Sequence, residues 1–313
     1  MLFALVAIAL VVFGGLGATT TILTDQAERD FPPIGQFVTV DDLRMHLLDR
    51  GQGRPVLFIH GAFGSLQDFT ATVFDATAQH YRAIAIDRPG HGYSETPDTP
   101  VTPADQARLI HGAMREIRAE RPILVGFSYG GSVALAYALD YPDDVAALLL
   151  ISAPTHYWPD PLSVTYEIPA WPLVGPLLLH TAIEPAGRLL TDGAAAASFA
   201  PGPVPAAFAR APVELALRPG SYAQNGADVR GLKSFLAAES KRYPSLQPPL
   251  TILATSDDPS VSYEIHSVAL HAEVPDSELI TLHGAGHPII YSRPDAVLDA
   301  IDRAAKRAET AGY

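Results

Sequence analysis

The feature that most limits what this chain can fold into is a series of short apolar runs separated by helix-like stretches. Pro55 to Ile59 reads PVLFI, Tyr81 to Ile86 YRAIAI, Pro122 to Val125 PILV and Val145 to Ile151 VAALLLI. Near-continuous runs of this length suit strands buried on both faces, not strands with one wet face. The intervening stretches are expected to be helices: Asp68 to His80, Pro103 to about Glu120 with Thr102 as N-cap, and Gly130 to Tyr141. Such alternation predicts an α/β fold, a mostly parallel sheet with helices on both faces. Gln36 to Val40 and Leu43 to Asp49, around Asp41-Asp42, are expected to open it as a hairpin.

The alternation stops at Pro154. Residues 155–227 are rich in Pro and Ala, hold Trp158, Trp171, Tyr157 and Tyr166, and show no strand pattern. They are expected to form a helical cap. Asp228 to Tyr243 reads as a helix leading back to the core. Strand signals return at Leu250 to Ala254 (LTILA) and Glu278 to Leu282 (ELITL), and a helix is expected from Pro294 to Ala308. The predicted core is therefore 36–154 with 228–313, long enough for one large interior.

Residues 1–24 stand apart. Leu2 to Leu23 carries no charged side chain, and as a helix its 22 residues would reach about 33 Å. A transmembrane anchor is the first expectation and a cleaved signal the second, although no Lys or Arg precedes the run. Asp25, Glu28 and Asp30 outnumber Arg29 after it, which places the following domain on the non-cytoplasmic side, or in the periplasm or medium after cleavage. Residues 25–35, with Phe31-Pro32-Pro33, read as a linker.

The formal net charge is −13, so the surface repels phosphate backbones and nucleic acid is not an expected partner. The chain has no cysteine, which excludes disulfides and thiolate chemistry. Its eleven histidines form no H-E-x-x-H or other metal spacing, so no metal is expected, and no cofactor.

Three motifs carry chemistry. Gly126-Phe127-Ser128-Tyr129-Gly130 fits G-x-S-x-G and stands between an apolar run and a helix of small residues. A tight strand-to-helix turn there would project the Ser128 hydroxyl from the sheet edge, near a helix N-terminus that favours negative charge. His60-Gly61-Ala62-Phe63-Gly64 follows PVLFI. Acyl transfer needs N–H donors aimed at a developing oxyanion; the amides expected are those of Ala62, with Phe63 as the second choice, and Tyr129. His60 itself reads as structural. In Asp87-Arg88-Pro89-Gly90-His91-Gly92-Tyr93-Ser94, Asp87 and His91 are expected to organise a turn, Asp87 by holding nearby N–H groups.

Taken together and in this order, HGAFGS, DRPGHGYS, GFSYGG and LHGAGHP resemble the α/β-hydrolase superfamily, most closely its capped esterase, haloperoxidase-like and C–C bond hydrolase branch. The resemblance spans roughly residues 36–310 and is poor in the cap. It implies a triad of Ser128, an acid after the strand that follows the cap, and a late histidine. The acid falls at Asp258, with Asp257 as the alternative, because Thr255 stands where the family usually has glycine. The histidine is His287 in Gly284-Ala285-Gly286-His287-Pro288, in preference to His283. Ester hydrolysis of a mainly apolar small molecule through an acyl-enzyme is the implied activity. A C–C bond hydrolase or cofactor-free perhydrolase would use the same triad, and a membrane-tethered binding protein is the non-catalytic alternative.

Overall fold

The computed structural model describes residues 2–312, without the side chains of residues 2, 5, 6 and 8–10. Among these residues eight strands form one sheet: β1 Gln36–Val40, β2 Leu43–Arg50, β3 Pro55–Ile59, β4 Arg82–Ile86, β5 Ile123–Phe127, β6 Ala147–Ile151, β7 Leu250–Thr255 and β8 Glu278–Leu282. Their spatial order is β1-β2-β4-β3-β5-β6-β7-β8. β1 and β2 pair antiparallel, as do β2 and β4; all later pairs are parallel. Asp41 and Asp42 both take positive φ, 50° and 64°. Aspartate tolerates that region, and a two-residue loop of this shape matches the twist of a hairpin.

The long helices are α1 Leu2–Asp30, α2 Pro103–Glu116, α3 Tyr129–Asp140, α4 Val174–Thr181, α5 Ile183–Phe199, α6 Pro219–Glu239 and α7 Pro294–Thr310. Thr102 caps α2 as expected, accepting from the Asp105 N–H while the Asp105 carboxylate accepts from the Thr102 N–H. The apolar runs β3, β5 and β6 are buried along their length and supply both layers of core. α2, α3 and α6 cover one face, where Leu57, Leu124 and Leu148 meet Val133 and Leu232. α7 covers the other, where Phe58, Val125 and Leu149 meet Ile301 and Ala304.

Three expectations change. The helix expected over Asp68 to His80 is two single turns, Gln67–Thr70 and Phe74–Thr77. Thr72 between them folds its hydroxyl back onto the Asp68 and Phe69 carbonyls, a local bond that competes with helix continuation. The boundary expected between 227 and 228 falls inside α6, which runs from the cap into the core without a break.

The third change concerns the N-terminus. The anchor expected over 1–24 falls in part on residues 1, 2, 5, 6 and 8–10, whose side chains lie outside the described ones. Among the described residues no helix is long and apolar enough to cross a membrane. α1 also continues through residues 25–30 of the expected linker, and its second half is seated on the cap. Thr20 and Ala27 are buried, Thr24 donates to Glu184 at 2.6 Å, and Arg188 donates to the Leu23 carbonyl at 2.6 Å. Upstream of Gly17 the described side chains from Val11 to Leu16 are all exposed, Phe13 and Leu16 the least at 42 and 36%.

Candidate active site

Ser128 lies where β5 ends and α3 begins, at φ 50° and ψ −125°. This is a strained conformation for a residue with a side chain, and it turns the hydroxyl away from both elements. The neighbours must be glycine. A Cβ at Gly130 would lie 2.1 Å from the Ile59 carbonyl oxygen, and one at Gly126 would lie 2.6 Å from that of Gly130. Donation from the Ser128 N–H to the Ile151 carbonyl at 2.8 Å pins the turn to β6.

His287 arrives from the loop after β8. Its Nε2 is 2.9 Å from the Ser128 Oγ, and its Nδ1 is 2.8 Å from Asp258 Oδ2. A carboxylate only accepts, so Nδ1 carries the proton and the Nε2 lone pair faces the serine hydroxyl. The other Asp258 oxygen accepts from the N–H groups of Ser260 and Val261 at 2.8 and 2.9 Å, which fixes the carboxylate plane. Asp257 faces elsewhere and accepts from the Gly284 N–H. His283 bonds Ser256 at the surface. Thr255, the departure from the family pattern, donates its hydroxyl to the Ala285 carbonyl at 2.8 Å and so tethers the histidine loop. The cap clamps the same loop. The His287 N–H donates to the Ser198 carbonyl at the end of α5, and Gly286 passes too close for a Cβ, which would lie 2.4 Å from that oxygen.

The loop carrying Ala62 passes beside Ser128, with Gly61 packed on the serine Cβ. Tyr129 is the first residue of α3, so its N–H has no acceptor within the helix. The Phe63 N–H, the second-choice donor, is already given to Asn225 Oδ1 at 3.0 Å.

Beneath this loop sits a buried polar network in which His60, Asp87 and His91 take the structural roles expected of them and Arg88, Gln106 and Asp228 take roles that sequence reasoning missed. Arg88 is fully buried and donates to the carbonyls of His60 and Gly61, to Gln106, and to Asp228 at 2.6 Å. The His60 Nε2 accepts from the Arg88 N–H, and its Nδ1–H donates to the Gly61 carbonyl. Burial, aided by the Arg88 charge, pushes the His60 pKa well down and that of His91 down to about 4, so both stay neutral. Asp87 accepts from the N–H groups of Leu66 and Tyr93 and pairs with His46 at 2.7 Å. One signal was present: Gln224, Asn225 and Asp228 share a face of α6, an unusual polar cluster for a helix returning to a core.

Above the loop the cap supplies an apolar wall. The Phe63 ring lies 5.7 Å from that of Tyr166 and 5.4 Å from that of Tyr222, and Leu179 and Leu217 pack with Tyr222. The Phe127 ring lies 5.4 Å from the His287 imidazole.

The chain is similar to several known proteins. The chain is 36% identical over 138 residues to the dihydrolipoyllysine-residue acetyltransferase component of an acetoin cleaving system from Cupriavidus necator, a stretch covering 44% of this chain but only 37% of that protein. It is 25% identical over 279 residues to 2-(acetamidomethylene)succinate hydrolase from Mesorhizobium japonicum, covering 86% of this chain and 94% of that one. An esterase from Exiguobacterium antarcticum superposes with a TM-score of 0.71 at 20% identity, over 87% of this chain and all of that one, a likeness of fold. The family profile described as alpha/beta hydrolase fold matches residues 54–294, most of the chain. With an eight-stranded, mostly parallel sheet and this strand-to-helix serine turn, the chain belongs to the α/β-hydrolase fold family.

Proposed function

We propose that this hydrolase cleaves a carboxylic ester of a mainly apolar small molecule through a covalent acyl-serine. The observation that carries the reading is the line Asp258–His287–Ser128, with contacts of 2.8 and 2.9 Å. His287 Nε2 takes the Ser128 proton as Oγ attacks the ester carbonyl. The oxyanion forms between the N–H groups of Ala62 and Tyr129. As the tetrahedral intermediate collapses, the C–O bond to the alcohol breaks and the imidazolium returns the proton to that oxygen. Water then attacks the acyl-enzyme by the same path, releasing the acid and restoring the serine. The aromatic wall of Phe63, Tyr166 and Tyr222 supports an apolar acyl or aromatic group in the substrate.

A fluorophosphonate probe tests the nucleophile. Wild type labels, Ser128→Ala does not, and ester kcat/KM falls by about 10³-fold or more in the variant. Labelling that persists in Ser128→Ala rejects the assignment. A series of p-nitrophenyl esters tests the wall. Longer acyl chains are expected to raise kcat/KM over acetate by about tenfold; equal rates on acetate and decanoate reject it.

A further inference from the structure

We propose that the first half of α1 and the flanking helices of the cap form one lipid-docking face, by which the protein dips into a single leaflet without crossing it. Val11, Val12, Phe13, Gly14, Gly15 and Leu16 are consecutive and all exposed. Successive helical residues turn by about 100°, so these six cover the whole circumference. Phe3, further out, is 91% exposed. A helix apolar on every side is at rest only in apolar surroundings. From Thr20 onward the same helix is held by the cap. The helices it packs on, α4 and α5, and the residue just before α4, leave Leu173, Leu177, Leu189 and Leu190 in solvent at 88, 43, 85 and 68%.

The all-round exposure selects the occupant. A second copy of this chain would cover one side of α1 and leave the other wet, whereas a lipid phase covers all of it. Among the described residues no helix is long and apolar enough to reach the far leaflet. Leu2 to Leu23 carries no charge and the protein is net anionic, so burial of apolar surface, not attraction to anionic headgroups, drives docking. The cap that walls the candidate active site then lies against the lipid.

The full-length chain with Trp158→Phe keeps one tryptophan, Trp171, which is 42% exposed and two residues from Leu173. With phosphatidylcholine vesicles this protein is expected to co-sediment, in low and high salt alike, and its Trp171 emission to shift to the blue. Leu189→Asp with Leu190→Asp lowers the partition coefficient by about tenfold or more, with activity on a soluble ester unchanged. Protein left in the supernatant overturns the proposal. So does vesicle binding that leaves Trp171 emission and the leucine-pair variant unaffected, because α1 then acts without the cap. A vesicle-free dimer that shields Trp171, or binding that needs phosphatidylserine and fails in high salt, also overturns it. Vesicle binding and soluble-ester activity are separate readouts, so the docking face and the hydrolase reading fail independently.

Discussion

At the scale of single residues the site turns on which carboxylate stands behind His287. Asp258 does so at 2.8 Å, with its second oxygen held by two backbone N–H groups. Its neighbour Asp257 bonds the Gly284 N–H from the outside of the loop. Asp258→Asn removes the charge and permits the wrong imidazole tautomer; kcat is expected to fall by about 10³- to 10⁴-fold with KM little changed. Asp257→Asn is expected to cost less than about tenfold, since a side-chain carbonyl still accepts from Gly284. Steady-state kinetics of the two variants on one ester check this, and the reverse ranking would make Asp257 the acid.

At the scale of elements, the histidine loop is built by three parts of the chain at once. β8 delivers it, Thr255 at the end of β7 tethers it, and the end of α5 clamps it through the Ser198 carbonyl. Gly286 is the point of closest approach. In Gly286→Ala the new Cβ meets the Ser198 oxygen at 2.4 Å, so the loop and α5 must part. The expected outcome is a kcat at least about tenfold lower in a protein that still folds, because a displacement near 1 Å is enough to spoil proton transfer. Circular dichroism and kinetics together check it. Unchanged kcat would mean that the cap does not position His287.

For the molecule as a whole, buried titratable groups set the response to acid. His91 and His266 both have folded pKa values lowered to about 4, mainly by burial, and His60 lies well below its usual 6.5. The unfolded chain protonates these side chains near 6.5 and the native fold does not. Their stabilisation is complete above about pH 6.5 and is lost as pH falls through about 4. Asp68, raised to about 6 by burial, acts oppositely: its contribution is complete below 3.8 and is lost as pH rises through 6. Glu239, also raised by burial, acts in the same sense as Asp68, and the three histidines outweigh the two carboxyls. The thermal midpoint is expected to fall by about 5 °C or more between pH 7 and pH 5, and His266→Asn to lessen the drop. A flat calorimetric profile over that range would contradict it.

What the sequence determined by itself is local. The apolar runs specified strands buried on two faces, and the glycines around Ser128 specified a turn that no other residue can make. Thr102 before Pro103 specified a helix start. The pattern of each is legible within a few positions, although the demand for glycine at 130 comes from the distant Ile59 carbonyl. The tertiary structure decided what depends on distant neighbours. Asn225 and Asp228 read as ordinary polar residues until α6 lies over the oxyanion loop, where they bind the Phe63 amide and the Arg88 guanidinium. Residues 17–24 of α1 read as membrane-seeking until Thr24 and the Leu23 carbonyl find Glu184 and Arg188, more than 150 residues away. Pattern along the chain reports what a segment would bury, but only the packed fold supplies the surface it is buried against.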